Sequence, residues 1–310
     1  MRQGCFRCCA GRSTARREGR RAGLYLPLGS ASANLLRQTG ESLAGRVAHP
    51  ELAPLMLAKA PALQPVLHWL RGGFPDSLLA RSDATSLRWR QDFIRTYLER
   101  EVFPTAPRAA TETLRRLGLM LAHHDGGLLN AAQLARNLVV DGNTEASCVD
   151  LLVDLMLVRR LQPWLANLSK WQVRTPKVNV RDSRVLHALL GITEKKTLLS
   201  HPVVSSSWET WVMKNLLALA PRDARASFFR RAAGAEIDLL IERSNGERCA
   251  IEIKRSLSPK LERGFHAACA DVLPTHQRIV YPGSERHHIG DQVWAVGLSE
   301  LAASLQSLQA

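Results

Sequence analysis

Two strand-like runs within residues 235–256 carry charged side chains whose types and spacing suit phosphate chemistry. In the first run Asp238 lies among aliphatic residues, and in the second Glu252 and Lys254 flank an isoleucine. Alternation of apolar and polar residues predicts half-buried strands, and the Ser-Asn-Gly sequence between the runs predicts a turn. Side chains two positions apart on a strand share a face. A carboxylate and an ammonium beside Asp238 therefore predict a site for a divalent cation and a phosphodiester.

The elements around this hairpin predict an α/β domain. Their predicted order is a helix over 207–220 with Ser207 as its cap, strands over 227–231, 236–242 and 248–254, a helix over 259–271, strands over 277–281 and 293–296, and a closing helix over 299–308. A strand, a helix and another strand in that order predict a right-handed parallel crossover. The hairpin is thus expected to continue into a parallel pair.

Residues 1–23 differ in character from the rest of the chain. They are rich in arginine, contain Cys5, Cys8 and Cys9, and show no hydrophobic period. A basic nucleic-acid arm, an organelle transit peptide and half of a zinc site are alternative interpretations. We favour a disordered leader, or translated sequence unrelated to the fold that follows.

An amphipathic helix is predicted over residues 87–102, because aromatic side chains recur there at helical intervals. Arg88, Arg90, Arg95 and Arg100 lie on this helix, where they could contact a phosphate backbone. The alternative, which we favour, is a solvated face partly paired with acidic residues of the same helix.

Residues 108–166 have the outline of a winged helix-turn-helix: a short helix, an Asp-Gly-Asn turn, a longer helix from about Thr144 to Leu157, and an extended apolar pair. The longer helix carries several acids and lacks Arg, Asn or Gln for reading base edges. We therefore favour a structural or protein-contact role over DNA readout.

The amino-acid composition of the chain indicates which classes of partner it binds. The 310-residue chain has a net charge of +14 and 45% hydrophobic residues, and no apolar run reaches the roughly 20 residues of a membrane span. Such a basic balance favours a polyanionic partner, nucleic acid before an anionic membrane surface. Cys148, Cys249 and Cys269 lie in apolar contexts, which predicts buried, reduced thiols and a cytoplasmic location.

From Leu24 to about residue 308 the chain resembles prokaryotic AAA-type ATP-binding proteins with a C-terminal region of unknown function. The resemblance rests on a strand ending at Gly29-Ser30, the SLAGR turn that ends at Arg46, and a GGFP segment followed by an aromatic helix. It implies that Ser30 and Arg46 belong to a vestigial nucleotide-sensor region. It also implies a remnant of a P-loop ATPase core over 24–50, a helical lid over 51–105 and a winged-helix-like module over 106–175.

A nucleotide site is not expected in this chain. A P-loop needs a glycine-rich turn that ends in Gly-Lys-Ser/Thr, so that backbone N–H groups and one lysine hold the phosphates. The sequence has no Gly-Lys pair, and its first lysine is Lys59. We therefore expect an N-terminally truncated relative that does not bind ATP tightly. The chain also departs from the family at Arg184 and Val185, where a Gly-Leu pair is usual and a tight turn would have needed the glycine.

The region 176–310 resembles the PD-(D/E)XK nuclease-like fold, with its αβββαβ order, an acid on the second strand and Glu-x-Lys on the third. The matching residues are Asp238 and Glu252-Ile253-Lys254, and Glu209 on the first helix supplies an extra acid that many members carry. The resemblance implies Mg²⁺ held by Asp238 and Glu252. It implies Lys254 as the group that orients the attacking water or stabilises phosphorane charge, and Glu209 as a further ligand or base.

Three hypotheses follow for function. The leading one is a truncated ATPase relative that binds DNA or a protein partner through its C-terminal domains. The second is a Mg²⁺-dependent nuclease that uses Glu209, Asp238, Glu252 and Lys254. The third is a non-functional gene fragment. If these charged residues have no catalytic role, they form a salt-bridge cluster at a sheet edge or are an inert remnant of a nuclease ancestor.

Overall fold

A computed structural model of the protein describes residues 53–59, 63–101, 108–165, 172–290 and 292–307, and within them the fold is mixed α/β. The expected leader over 1–23 and the expected ATPase-core remnant over 24–50, with Ser30 and Arg46, lie outside the described residues. No helix in the described part of the chain is both long enough and apolar enough to span a bilayer.

The first described elements are helical, as the pattern over 51–105 predicts. They are a 3₁₀ helix, Leu57–Lys59, and the α-helices α1 (Pro65–Arg71), α2 (Pro75–Leu78) and α3 (Asp83–Glu101). Both α1 and α2 begin with proline, whose fixed φ and missing N–H suit the first helical position.

Gly72, the residue after α1, lies in close contact with Asp182 and Arg184. Its φ is 73° and its ψ is −175°, a conformation open essentially to glycine alone. A Cβ atom at this position would overlap with Arg184 Cβ and Asp182 Oδ1. Only glycine therefore fits this contact.

At Arg90 on α3 the structure contradicts both interpretations of the arginines on this helix, contact with a phosphate backbone and a solvated face. Its side chain is fully buried, and it donates hydrogen bonds to the carbonyl oxygens of Ser86 and Leu70. Burial lowers the pKa of its guanidinium to about 10. Arg90 faces α1 and cannot contact a phosphate backbone, whereas Arg88 and Arg95 are exposed.

The middle of the chain forms three helices and a small sheet. They are α4 (Arg108–His123), α5 (Ala131–Leu138), α6 (Gly142–Asp154), β1 (Val158–Leu161) and β2 (Lys177–Val180). Asp141 caps α6 by accepting from the N–H groups of Asn143 and Thr144. β1 and β2 pair antiparallel, so this small sheet crosses the boundary at 175 that the sequence suggests.

The remaining chain has the predicted order of helix, three strands, helix and strand. Its elements are α7 (Ser183–Leu189), α8 (Lys195–Ser200), α9 (Val204–Leu217), β3 (Arg225–Arg230), β4 (Glu236–Glu242), β5 (Arg248–Ile253), α10 (Arg263–Val272), β6 (His276–Tyr281), β7 (His287–His288), β8 (Val293–Gly297) and α11 (Leu298–Ser307). The sheet order is β3-β4-β5-β6-β8-β7. β3, β4 and β5 form an antiparallel meander, and β5, β6 and β8 run parallel.

Two helix starts and one strand differ from the sequence prediction. α9 begins at Val204 instead of Ser207, and Ser207 is a buried residue within the helix. α10 begins at Arg263 instead of about Pro259, and in the segment before it Ser256 Oγ accepts a hydrogen bond from the N–H of Ser258. The edge strand β7 was not predicted.

The six-stranded sheet is buried on both faces. Leu239 and Ile251 pack in one cluster with α9 and α11, whereas Leu240 and Ala250 pack in another with α10. The first cluster extends to α1, whose Trp69 contacts Trp208 edge-on with ring centroids 5.2 Å apart. The helices on either side hold the ends of β4 and β5 in place.

Polar side chains connect α1 to α9 inside this core. Trp211 Nε1 donates to His68 Nδ1 at 2.8 Å, and Trp69 Nε1 donates to Ser207 Oγ at 3.0 Å. His187 Nε2 also lies 2.7 Å from Ser207 Oγ. Burial lowers the pKa of His187 to about 4, so this imidazole is neutral in the core.

Cys148, Cys249 and Cys269 are free thiols, and the burial predicted for all three is complete only for Cys269. Cys269 is buried, and the other two are half-buried. Burial raises the pKa of Cys249 to about 11 and that of Cys269 to about 12, so both stay protonated and unreactive at neutral pH.

Candidate active site

A cavity of about 410 Å³ lies where β4 and β5 meet the beginnings of α9 and α10. Its lining includes all four residues that the sequence singles out for catalysis, Glu209, Asp238, Glu252 and Lys254. The structure thus places these four side chains around one cavity.

Asp238 is fixed at the point where the pairing of β4 with β5 ends. The backbone ladder runs as far as the pair Leu239 and Ile251. Beyond it, Asp238 Oδ2 accepts a hydrogen bond of 2.9 Å from the N–H of Ile253. Burial raises the pKa of Asp238, although Lys177 and this N–H favour its ionised form.

Glu252 and Lys254 form an ion pair at the end of β5. Lys254 Nζ lies 2.7 Å from Glu252 Oε1 and 2.6 Å from Glu262 Oε1. Burial and the nearby Asp238 carboxylate raise the pKa of Glu252 to about 8. Burial opposes the charge of Lys254, but Glu252 and Glu262 outweigh it and raise the pKa of the ammonium, which stays charged at neutral pH.

Glu209 reaches the cavity from α9. Burial and the charge of Asp238 raise the pKa of Glu209 to about 8. The neighbouring Trp208 donates from Nε1 to the carbonyl oxygen of Lys254, which ties the N-terminal half of α9 to the end of β5. The carboxyl group is thus a buried base poised near neutral pH.

Lys177, Glu236 and Glu262 also line the cavity, although they are not among the site residues predicted from the sequence. Glu236 shares the period-two face of Asp238, which is a signal that could have identified it. Lys177 lies on β2, and no local pattern connects it to residues of β4. Its ammonium lies 2.7 Å from Glu236 Oε1, 3.4 Å from Glu209 Oε1 and 3.8 Å from Asp238 Oδ1.

The donor set fits Mg²⁺ in part. Asp238 and Glu252 offer carboxylate oxygens, and Mg²⁺ in proteins is commonly bound by one or two carboxylates with water as the remaining ligands. Among the described residues, no group of three or more His, Cys, Asp or Glu side chains has an arrangement that could hold a metal. A metal site in this cavity would accordingly use two carboxylates, those of Asp238 and Glu252, with water as the remaining ligands.

Two domain matches cover most of the described chain. Residues 65–196 match a domain of unknown function, DUF8612, and residues 205–301 match another, DUF4143. The second match contains Glu209, Asp238, Glu252 and Lys254, and the first contains Lys177. The cavity is therefore built from both matched regions.

Curated relatives extend the similarity beyond these two domains. An uncharacterized protein of Mycobacterium tuberculosis and one of Mycobacterium bovis are each 40% identical to this chain over 278 residues, which make up 89% of this chain and 62% of the relative. The chain thus spans less than two thirds of the length of these relatives. No solved structure shows a significant match. The chain is therefore similar to longer uncharacterized mycobacterial proteins, and its C-terminal third matches DUF4143.

Proposed function

We propose that the C-terminal domain is a nuclease-like unit of the PD-(D/E)XK type that cleaves phosphodiester bonds in nucleic acid with Mg²⁺. The observation that carries the proposal is the convergence of Asp238, Glu252 and Lys254 on one cavity, at the ends of two adjacent strands in an αβββαβ order. A carboxylate pair beside a held ammonium is the arrangement that phosphoryl chemistry needs, because negative charge develops on the phosphate.

Each side chain has a role that follows from its position. Mg²⁺, bound by Asp238 and Glu252, would supply Lewis acidity toward a phosphate oxygen. Lys254, held by two carboxylates, presents a fixed positive charge to the developing charge on phosphorus. Glu209, with its raised pKa, accepts the proton of the attacking water.

A plasmid-nicking assay tests the proposal. We expect the purified chain to nick supercoiled DNA with Mg²⁺ or Mn²⁺, and we expect Asp238→Asn and Lys254→Ala each to lower the rate by about 100-fold or more. Glu285→Gln and Lys260→Ala, which alter exposed charged residues, are the matched controls and should cut at the wild-type rate. Wild-type protein that leaves DNA and RNA intact with either metal would contradict the proposal.

Binding without cleavage is the second candidate, and it is the role expected of a truncated ATPase relative. The observation that favours it is that the ammonium groups of Lys177 and Lys254 already pair with the cavity carboxylates, as in a structural salt-bridge cluster. If this candidate is right, the wild-type and Lys254→Ala proteins bind DNA equally well and leave it intact. Their affinity for DNA should fall steeply as the salt concentration rises. A chain with neither activity would agree with a non-functional fragment.

A further inference from the structure

Arg255 lies at the candidate active-site cavity, directly after Lys254. Among the described residues, three cations line this cavity: Lys177, Lys254 and Arg255. Lys177 and Lys254 each pair with cavity carboxylates. Arg255, in contrast, is exposed and forms no ion pair or hydrogen bond within the described part of the chain. Its guanidinium is therefore available to bind an anion that enters the cavity.

Neighbouring elements fix the backbone from which Arg255 extends. The N–H of Lys254 donates to the carbonyl oxygen of Val280 on β6 at 2.8 Å, and the carbonyl oxygen of Lys254 accepts from Trp208 Nε1 at 3.2 Å. The Lys254 side chain is 24% exposed, whereas Arg255 is more exposed, so Arg255 lies nearer the opening of the cavity. Arg255 is thus placed to bind a phosphate next to the one that Lys254 contacts.

The loop between β5 and α10 is compact and presents Leu257 to solvent. Ser256 Oγ accepts from the N–H of Ser258 at 3.1 Å and donates to its carbonyl oxygen at 3.2 Å. Pro259 is buried, and Leu261 packs against the apolar cluster of α10. Leu257 lies between these anchored ends and is 72% exposed. The loop therefore holds an apolar side chain in water, two residues from the free arginine.

The combination of these two side chains indicates a nucleotide as the ligand. A single exposed leucine is common on protein surfaces and indicates no site by itself. A nucleotide, however, presents an anionic phosphate and the apolar face of a base, which complement Arg255 and Leu257 respectively. The net charge of the chain, +14, also favours a polyanion.

We propose that Arg255 and Leu257 bind one nucleotide of a single strand at the entrance of the cavity. Arg255 binds the backbone phosphate next to the scissile one, and Leu257 packs against the face of the base. The base faces of a duplex are covered by stacked neighbours, so this contact selects a strand whose bases are unpaired. The identity of the scissile phosphate rests on the proposed function, and the substrate class is single-stranded nucleic acid.

Fluorescence anisotropy of a fluorescein-labelled oligothymidylate tests the proposal in EDTA, where no metal-dependent cleavage occurs. We expect Arg255→Gln to weaken binding about fivefold and to reduce the slope of log affinity against log salt concentration by about 0.7, because one phosphate contact is lost. We expect Leu257→Ser to weaken binding about fivefold with an unchanged slope, because contact with a base face releases no counter-ion.

Two matched controls separate these contacts from general surface effects. Lys260→Gln removes an exposed cation of the same loop that does not line the cavity. Leu273→Ser removes a leucine that is 76% exposed at the other end of α10. Both variants should bind the oligothymidylate with the affinity and the salt slope of the wild type. Losses in the controls equal to those in Arg255→Gln and Leu257→Ser would overturn the proposal.

The matching duplex and lipid vesicles distinguish other ligands of the loop. The wild type should bind the duplex more weakly than the single strand, and Leu257→Ser should leave the affinity for the duplex unchanged. Equal wild-type affinity for both forms would overturn the selection of unpaired bases. Binding to phosphatidylserine vesicles that depends on Leu257, without binding to the oligothymidylate, would make the loop a membrane contact and overturn the proposal.

The remaining outcomes separate this contact from the proposed nuclease activity. Binding that depends on Arg255 and Leu257, without cleavage when Mg²⁺ is added, supports the contact and counts against the nuclease. Cleavage with Mg²⁺, with wild-type affinity in both variants, overturns the contact and leaves the nuclease proposal standing. A wild type that binds neither form of nucleic acid overturns the contact, and the plasmid-nicking assay then decides the nuclease proposal separately.

Discussion

At the scale of single residues, the cavity is one of several places where burial decides the charge state of an acid. Asp125 is buried beside α9, where its Oδ1 accepts from the N–H of Val180 at 2.7 Å and its Oδ2 accepts from Thr210 Oγ1 at 2.9 Å. No cation contributes to its shift, and burial raises its pKa to about 7. Asp125 therefore contrasts with Asp182, whose pKa stays below its usual range despite burial because Lys214 and Arg184 are adjacent.

Because the pKa of Asp125 is raised, we predict that the stability of the folded protein depends on pH. A folded-state pKa of about 7 lies above the unfolded value, so the stabilisation is fully present below about pH 4 and is lost as pH rises through 7. In urea, the free energy of unfolding of the wild type should fall by up to about 4 kcal/mol between about pH 4 and pH 8. The Asp125→Asn variant should not show this fall. Asp76→Asn, at an exposed acid, should keep the wild-type slope. Equal slopes for wild type and Asp125→Asn would contradict this expectation.

Part of the candidate site could be predicted from the sequence, because some of its residues lie close together along the chain. Asp238, Glu252 and Lys254 belong to one hairpin, so local period-two alternation indicates their proximity. Glu209 came only from the resemblance to a family. Lys177 was missed because its contacts depend on how β2 packs against α9, and no local pattern encodes that packing.

At the scale of elements, Arg184 occupies a position where the resemblance stated above leads one to expect glycine. Arg184 lies in the first turn of α7, where the backbone needs no left-handed conformation, so arginine is accommodated there without backbone strain. Its guanidinium carbon lies 3.3 Å from the ring centre of Phe74 and 4.2 Å from that of Phe93. The glycine that this region does need is Gly72, across the contact.

Gly72→Ala should therefore destabilise the protein by about 2–4 kcal/mol, through backbone strain and overlap with Arg184 and Asp182. Gly191→Ala is the matched control, since Gly191 has a φ of 67° but no atom lies within 4 Å of the position that an added methyl group would take. It should cost about 1–2 kcal/mol from the left-handed backbone alone. Chemical denaturation measures both, and equal losses would refute the role of the close contact.

The types and order of the elements were easier to predict than their ends. Amphipathic and alternating patterns identified α3 and the strands β3 to β6. The start of α9 was misplaced because Ser207 looks like a cap in sequence, whereas its hydroxyl accepts from Trp69 inside the core. Arg90 was misassigned for the same reason, because the pattern of one helix does not show which face another helix covers.

At the scale of the whole molecule, one hydrophobic cluster joins the N-terminal helices to the sheet. It contains Trp69 of α1, Trp211 of α9 and Ile251 of β5. The Lys177 contact crosses the same junction. Unfolding of the helices would thus expose one face of the C-terminal domain.

A fragment of residues 204–310 should consequently lack a cooperative thermal transition. Without the preceding helices, Trp208 and Trp211 lose their partners Trp69 and His68, and the cavity acids lose Lys177. Circular dichroism and tryptophan fluorescence should give coincident melting curves for the full chain. A sharp, reversible melt of the fragment would show that the C-terminal domain is independently stable.

The position of Lys177 also limits how this architecture can recombine. The boundary between the two matched domains runs between the lysine and the acids it neutralises. A chimera that joins residues 205–301 to the preceding region of another protein would contain the three half-buried acids Glu209, Glu236 and Asp238 without the lysine that pairs with them. Such an exchange should succeed only when the incoming region places a cation on the strand equivalent to β2, so the two regions are expected to be inherited together.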